Sequence, residues 1–199
     1  MAPRIGAKTR LVPYPDAYQE AEEAVSTAQD EILIVSNWTL PYRPKPEMEE
    51  ARKKYFAAAL KKATSTRVKY LRVAQIPPES SDILGAIPPL VVPHLTQCMK
   101  KRDAGKGDIG VFCCNPTVLV SFLLVDSKFL LLQLDERDPN TGYFQVSRAL
   151  IVQDDEKKVT QVFKTIFEEL IRRDSHSMQL KELARVEDIS HRSTDAATS

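Results

Sequence analysis

The order of the apolar segments is the feature that most constrains the fold of this 199-residue chain. In the first half, amphipathic patterns with three- and four-residue spacing alternate with short apolar runs, which predicts helices that alternate with strands. The second half has four apolar runs in succession and then a final amphipathic stripe. The predicted helices cover about 15–29, 47–64, 93–103 and a last segment starting near Asp154 or Asp155, and the predicted strands cover 32–35, 67–74, 109–114, 118–125, 128–134 and 143–152. This order predicts an α/β fold with a mixed β-sheet of about six strands and helices on both faces.

The composition is that of an ordinary globular domain. Hydrophobic residues make up 43% and charged residues 28% of the chain, and the net charge is +1. A disordered chain would be poorer in apolar residues, and a protein that binds nucleic acid with its whole surface would carry an excess of cations. Both classes are therefore disfavoured. A local basic stretch at 100–106 remains a candidate phosphate contact, although a solvated helix end is the simpler interpretation.

The sequence contains no signal for a membrane, a metal or a cofactor. Its longest apolar run is too short to span a bilayer, and the first residues lack the apolar region of a secretory signal. An odd number of cysteines (Cys98, Cys113 and Cys114) without such a signal predicts a cytoplasmic protein. The three histidines lack zinc spacing, and six glycines leave no glycine-rich phosphate loop, so we expect no cofactor.

The chain divides into one domain and two polar ends. Residues 1–13 are polar and irregular, which predicts an extended N-terminal arm, and the apolar patterns run from 14 to 173. Residues 174–199 form a polar tail in which Leu180, Leu183 and Val186 are spaced for a short helix. A helix of that length is marginal on its own in water, so we expect it to be ordered by a protein partner or by its own domain.

Three segments resemble phospholipase D-like domains. The sequence VLVSFLLVD at 118–126, followed by SKFLLLQL, is similar to the core hairpin of that family. YFAAALKKA followed by RVKYLRV is similar to its helix–strand step, and VFKTIFEELIRR after ALIVQDD is similar to its closing helix. The resemblance covers about residues 30–172 and implies a single phospholipase D-like half.

Active members of this family carry the motif His-x-Lys-x-x-x-x-Asp. When Asp126 is placed on the aspartate, Leu119 falls on the nucleophilic histidine and Ser121 on the lysine that stabilises the phosphoryl oxygens. Leucine has no lone pair with which to attack, and serine carries no positive charge. The resemblance therefore implies a degenerate, non-catalytic domain, as in the sensor and effector domains of prokaryotic transcription regulators, and it also implies a homodimer.

Four residues are candidates for ligand binding. Asn37 and Trp38 follow a buried strand, where open α/β sheets place their ligands. Arg72 lies on a predicted central strand, and Asp126 is the surviving motif residue, so the resemblance implies a groove near Trp38, Arg72 and Asp126. Three of the four have a structural alternative: Trp38 covers the core, Arg72 pairs with an acid and Asp126 forms a turn.

Three functions are compatible with these sequence features. The first is a non-catalytic phospholipase D-like module with a regulatory role, which senses a small-molecule ligand or mediates protein assembly. The second is a phosphodiesterase or nuclease with a site that the sequence does not reveal, and the third is a structural subunit of a larger complex. Nucleic acid is disfavoured as a partner without being excluded, and no membrane contact is predicted.

Overall fold

The computed structural model describes residues 6–37, 46–76, 91–115, 118, 120–137, 139, 140 and 144–178. These residues form one eight-stranded sheet with helices on both of its faces. In chain order the elements are β1 (Lys8–Pro13), α1 (Asp16–Thr27), β2 (Glu31–Asn37), α2 (Pro46–Ser65), β3 (Lys69–Gln75), α3 (Val92–Asp103), β4 (Ile109–Cys114), β5 (Phe122–Val125), β6 (Phe129–Arg137), β7 (Phe144–Gln153), α4 (Lys158–Asp174) and β8 (His176–Ser177).

The sheet is mixed, with the strand order β1-β7-β6-β5-β2-β3-β4-β8. β2, β3 and β4 are parallel neighbours, whereas β5 runs antiparallel to β2, and β6, β7 and β1 continue the antiparallel half. The predicted α/β class and mixed sheet are confirmed. The helices α2 and α3 cross over between β2, β3 and β4, which makes these strands parallel, whereas the direct links between β5, β6 and β7 make these three antiparallel.

The two strands beyond the expected six lie at the edges of the sheet. Residues 8–13, predicted as an irregular arm, form β1, in which only Val12 is buried. Such a strand has no apolar run for the sequence to reveal. β8 contains two residues and pairs with β4, and Met178 directly after it is 1% exposed. The apolar patterns missed both strands because edge strands bury few side chains.

The two faces of the sheet hold separate cores. Helices α1, α2 and α3 pack with Ile32, Tyr70 and Val111 on one face. On the other face α4 packs with Leu33 and Leu124 through Phe167. Alternation along the strands produces this division, since successive side chains point to opposite faces.

Asp154, one of the two aspartates expected to cap α4, accepts hydrogen bonds from its first turn, although the helix begins at Lys158, later than expected. Asp154 is buried, and its Oδ2 accepts hydrogen bonds from the backbone N–H groups of Val159 at 2.6 Å and Thr160 at 3.0 Å. The apolar stripe of α4 is narrower than the sequence spacing predicted, because Val162 is 57% exposed while Phe167 is 1% exposed. Within the described residues, no helix combines the length and apolar character that crossing a lipid bilayer requires.

Candidate functional site

Polar side chains at the ends of β2 and β3 join these strands to the segment before β5. The backbone N–H of Asn37 donates to Ser121 Oγ at 2.9 Å. The Gln75 side chain donates from Nε2 to the carbonyl oxygen of Val118 and accepts at Oε1 from its backbone N–H, both at 2.8 Å. We call Ser36, Asn37, Gln75 and Ser121 the carboxyl edge. Ligands of open α/β sheets bind beyond the carboxyl ends of the parallel strands, so this edge is the candidate site.

Arg72 lies below this edge, on the central strand β3. Its backbone is paired with Ile34 of β2 and Val111 of β4, and the residue is 3% exposed. Nη2 donates to Ser36 Oγ at 2.8 Å, and the guanidinium carbon lies 4.9 Å from the centre of the Phe56 ring. A desolvated cation–π contact is worth about 2 kcal/mol. Arg72 thus contacts a hydroxyl group of the carboxyl edge and an aromatic ring of α2.

His94 of α3 joins Arg72, Phe56 and Tyr70 in one buried cluster. Its ring stacks on Phe56 with the ring centres 4.3 Å apart, and Nε2 lies 2.9 Å from the Tyr70 hydroxyl. Burial, and then the nearby charge of Arg72, hold the pKa of His94 well below its usual value. The imidazole is therefore neutral and 8% exposed, and it contacts neighbours in the core.

Cys98 completes this cluster as an unreactive thiol. Its Sγ lies 3.5 Å from His94 Nε2. Burial raises the pKa of the Cys98 thiol to about 12, so the thiolate that attacks as a nucleophile is not populated near neutral pH. The cysteines of β4 are also buried thiols outside any disulfide: Cys113 belongs to the core under α1, α2 and α3, and Cys114 to the core under α4.

Asp126 occupies the opposite end of β2. It lies in the turn between β5 and β6 with a φ of 52°. Its Oδ2 accepts from the backbone N–H of Gln29 at 2.8 Å, and its Oδ1 accepts from those of Asp30 at 2.8 Å and Glu31 at 3.0 Å. A seven-residue strand is about 20 Å long at about 3.3 Å per residue. The length of β2 thus separates Asp126 from Asn37, and the aspartate anchors the segment before β2.

The structure brings only part of the predicted groove together. Asn37 belongs to the carboxyl edge and Arg72 is hydrogen-bonded to it at Ser36, whereas Asp126 lies at the amino end of β2 and Trp38 falls outside the described residues. Gln75 was missed on the basis of sequence, although a polar residue at the end of a buried strand is the same signal that singled out Asn37. Ligand binding by these residues stays a prediction.

No protein-family model and no curated protein sequence matches the chain. Three solved structures share its fold at low sequence identity. NucT from Helicobacter pylori is 12% identical, with 86% of this chain and 99% of that chain covered and a TM-score of 0.53. Nuc from Salmonella typhimurium, a phospholipase D family member, is 11% identical, with 87% and 99% covered and a TM-score of 0.52. Phosphatidylserine synthase from Haemophilus influenzae is 17% identical, with 99% and 48% covered and a TM-score of 0.54.

These similarities establish the fold of the chain. It is that of a phospholipase D-like domain, which confirms the fold implied by the resemblance of the three sequence segments. The chain spans nearly the whole of Nuc and NucT. It spans about half of the synthase, and 53% of TrmBL2, an archaeal chromatin protein matched at a TM-score of 0.49.

Proposed function

We propose that this chain is a non-catalytic phospholipase D-like domain that binds a ligand at the carboxyl edge and has a regulatory role. The proposal rests on the hydrogen bond that the Ser121 hydroxyl makes. This residue stands at the lysine position of the family motif, and its hydroxyl group accepts the backbone N–H of Asn37 at 2.9 Å. A positive charge that binds phosphoryl oxygens is replaced by a neutral hydroxyl group that joins β2 to the segment before β5.

The described histidines support the same conclusion. His94 is buried between Phe56 and Tyr70, and His176 lies on the short edge strand β8. A nucleophile must approach the reacting phosphorus to within about 3–3.5 Å. His94 has no such access to a ligand in solvent, because its ring is enclosed in the core.

The carboxyl edge retains features of a binding site. Asn37 and Ser121 are half-buried. The buried guanidinium of Arg72 donates a hydrogen bond to Ser36, the neighbour of Asn37 in β2. Hydroxyl and amide groups favour a ligand rich in hydroxyl groups, such as a sugar, as the first class to test. The chain contains one tryptophan, Trp38, which directly follows Asn37 and provides a fluorescence signal for this edge.

The predicted lack of phosphodiesterase activity is tested with bis-(p-nitrophenyl) phosphate. The purified protein should show no turnover above buffer. Turnover that disappears in a Leu119→Arg variant with an unchanged melting temperature would establish a phosphodiesterase and overturn the proposal.

Ligand binding at the carboxyl edge is tested by tryptophan fluorescence during titration with glucose, maltose and inorganic phosphate. A saturable change that is weakened at least tenfold in Asn37→Ala, and unchanged in the exposed-site control Asp155→Ala, supports a ligand site at this edge. A response that is equally strong in Asn37→Ala would place the ligand elsewhere.

The oligomeric state and compartment follow from the same proposal. Phospholipase D-like halves pair across their motif strands, so we expect two copies of this chain to form a homodimer. Light scattering during size-exclusion chromatography should give twice the chain mass of 22.4 kDa. The three cysteines are buried and form no disulfide, which is compatible with a reducing cytoplasm, and we propose the cytoplasm as the location.

A further inference from the structure

Positive charge is concentrated in two segments at one end of the molecule. The segments 61–69 and 100–108 contain eight cations and two acids, whereas the whole chain has a net charge of only +1. We call these two segments the basic edge. Its cations are Lys61, Lys62, Arg67, Lys69, Lys100, Lys101, Arg102 and Lys106.

The fold places both segments side by side. α2 and α3 end just before the parallel neighbours β3 and β4, so both helix ends lie at the amino ends of these strands. Gly107 contacts the end of α2 so closely that an added Cβ would lie 2.3 Å from the carbonyl oxygen of Ala63. The backbone N–H of Lys106 donates to the carbonyl oxygen of Lys101 at 2.9 Å, which folds Lys106 back onto the same surface.

Most of these cations face solvent. Lys61, Arg67, Lys69, Lys100, Lys101 and Lys106 are exposed, and Lys62 is half-buried. Arg102 differs, because it donates to Asp103 at 2.8 Å and to the carbonyl oxygen of Met178 at 3.0 Å. Seven cations are therefore available to a partner.

Helix dipoles account for only a small part of this charge. Each helix carboxyl end carries about half a negative charge. Two such ends offset about one of the six excess positive charges of the basic edge. The remainder repels itself unless counterions or an anionic partner neutralise it.

We propose that the basic edge binds the phosphate backbone of double-stranded nucleic acid. The two segments contain no aromatic residue on which an unpaired base would stack, which disfavours single strands. Among the described residues, the exposed large apolar side chains are Leu11, Leu134 and Val162, and all three lie outside these segments. A bilayer surface is therefore disfavoured, because membrane-binding surfaces pair basic with apolar side chains.

This surface is separate from the proposed ligand site. Lys69 begins β3 and Gln75 ends it, so the basic edge and the carboxyl edge lie about 20 Å apart across one seven-residue strand. The inference therefore stands independently of the proposed function, and binding of a backbone without base contacts is expected to be independent of sequence.

The test is fluorescence anisotropy of a labelled duplex of about 20 base pairs, titrated with the full chain at several salt concentrations between about 50 and 200 mM. The test variant is K100Q/K101Q/K106Q, and the matched control is K8Q/R137Q/R148Q, which removes three exposed cations from β1, β6 and β7. The test variant should weaken binding at least tenfold at the lowest salt. It should also lower the slope of log Kd against log salt by about three, because each phosphate contact contributes about 0.9. The control should shift both values much less.

Three outcomes would overturn the inference. The first is no saturable duplex binding at the lowest salt. The second is an equal loss in the test and control variants, which would show attraction by overall charge alone. The third is tighter binding of a single strand, or of vesicles of phosphatidylserine and phosphatidylcholine, than of the duplex. Circular dichroism of both variants establishes that a loss of binding is not a loss of fold.

Discussion

The Tyr70 hydroxyl lies 2.9 Å from His94 Nε2, and both residues are buried between the sheet and α3. The imidazole stacks on Phe56 in a cluster that also holds the charged guanidinium of Arg72. Protonation of His94 would bury a second positive charge beside the first. The cluster therefore gives the fold a defined dependence on pH.

Acid should destabilise the protein through His94 below about pH 6.5. The pKa of this histidine is well below its usual value in the folded chain, whereas the unfolded chain titrates at about 6.5. The unfolded state thus binds a proton that the folded state does not, and the free energy of unfolding falls by up to about 1.4 kcal/mol per pH unit as the pH decreases. Above about pH 6.5 the imidazole is neutral in both the folded and the unfolded chain, so His94 no longer lowers the free energy of unfolding.

Urea unfolding between about pH 7.5 and 5 measures this dependence. His94→Gln should be less stable at neutral pH and should lose most of the slope between about pH 6.5 and 5. The exposed His176→Gln variant is the control and should retain the slope of the unmodified protein. A slope that is the same in all three proteins would show that other groups govern the acid response.

Asp126→Ala should destabilise the fold. The variant removes a carboxylate that accepts three backbone hydrogen bonds from residues 29–31. It also places alanine at a φ of 52°, which aspartate tolerates better. We expect a loss of about 2–3 kcal/mol in urea unfolding, whereas exposed Asp155→Ala should stay within about 0.5 kcal/mol. A stable Asp126→Ala variant would show that this carboxylate does not anchor the segment before β2.

The position of Asp126 shows which part of the site the sequence could not supply. The family motif implied a groove with Asp126 near Trp38 and Arg72. β5 is antiparallel to β2, with Ile32 opposite Val125, so the carboxyl end of β5 lies at the amino end of β2. Strand direction depends on which strands pair, and apolar periodicity does not encode that choice.

The sequence predicted more of the fold than of the site, because the patterns that indicate helices and strands are local in the chain. The buried run at 32–35 became β2, and Asp154 caps α4 as its sequence context suggested. The contact between Tyr70 and His94 instead joins residues 24 positions apart on different elements. The sequence therefore revealed which segments are buried, and only the packing revealed which polar groups meet inside them.

Phe167→Ala should cause a large loss of stability through the core beneath α4. Phe167 is 1% exposed, and truncation of a buried phenylalanine costs about 3–5 kcal/mol. Val162 lies on the same helix and is 57% exposed, so Val162→Ala should cost less than about 0.5 kcal/mol. Urea midpoints measure both variants. Similar small losses would mean that α4 contributes little to the core.

The last prediction concerns the boundary of the domain, which the apolar patterns place at residue 173. Met178 is 1% exposed, and its backbone N–H donates to the carbonyl oxygen of Val111 at 2.9 Å. A chain that ends at Met178 should therefore unfold cooperatively with the urea midpoint of the full chain. A chain that ends at Asp174 loses β8 and this buried side chain, and should be less stable by about 2–5 kcal/mol. Met178→Ala in the full chain isolates the side-chain contribution and should account for much of that loss. If the chain ending at Asp174 is as stable as the full chain, β8 is peripheral and the boundary lies before it; if the chain ending at Met178 fails to fold, the domain extends into the tail.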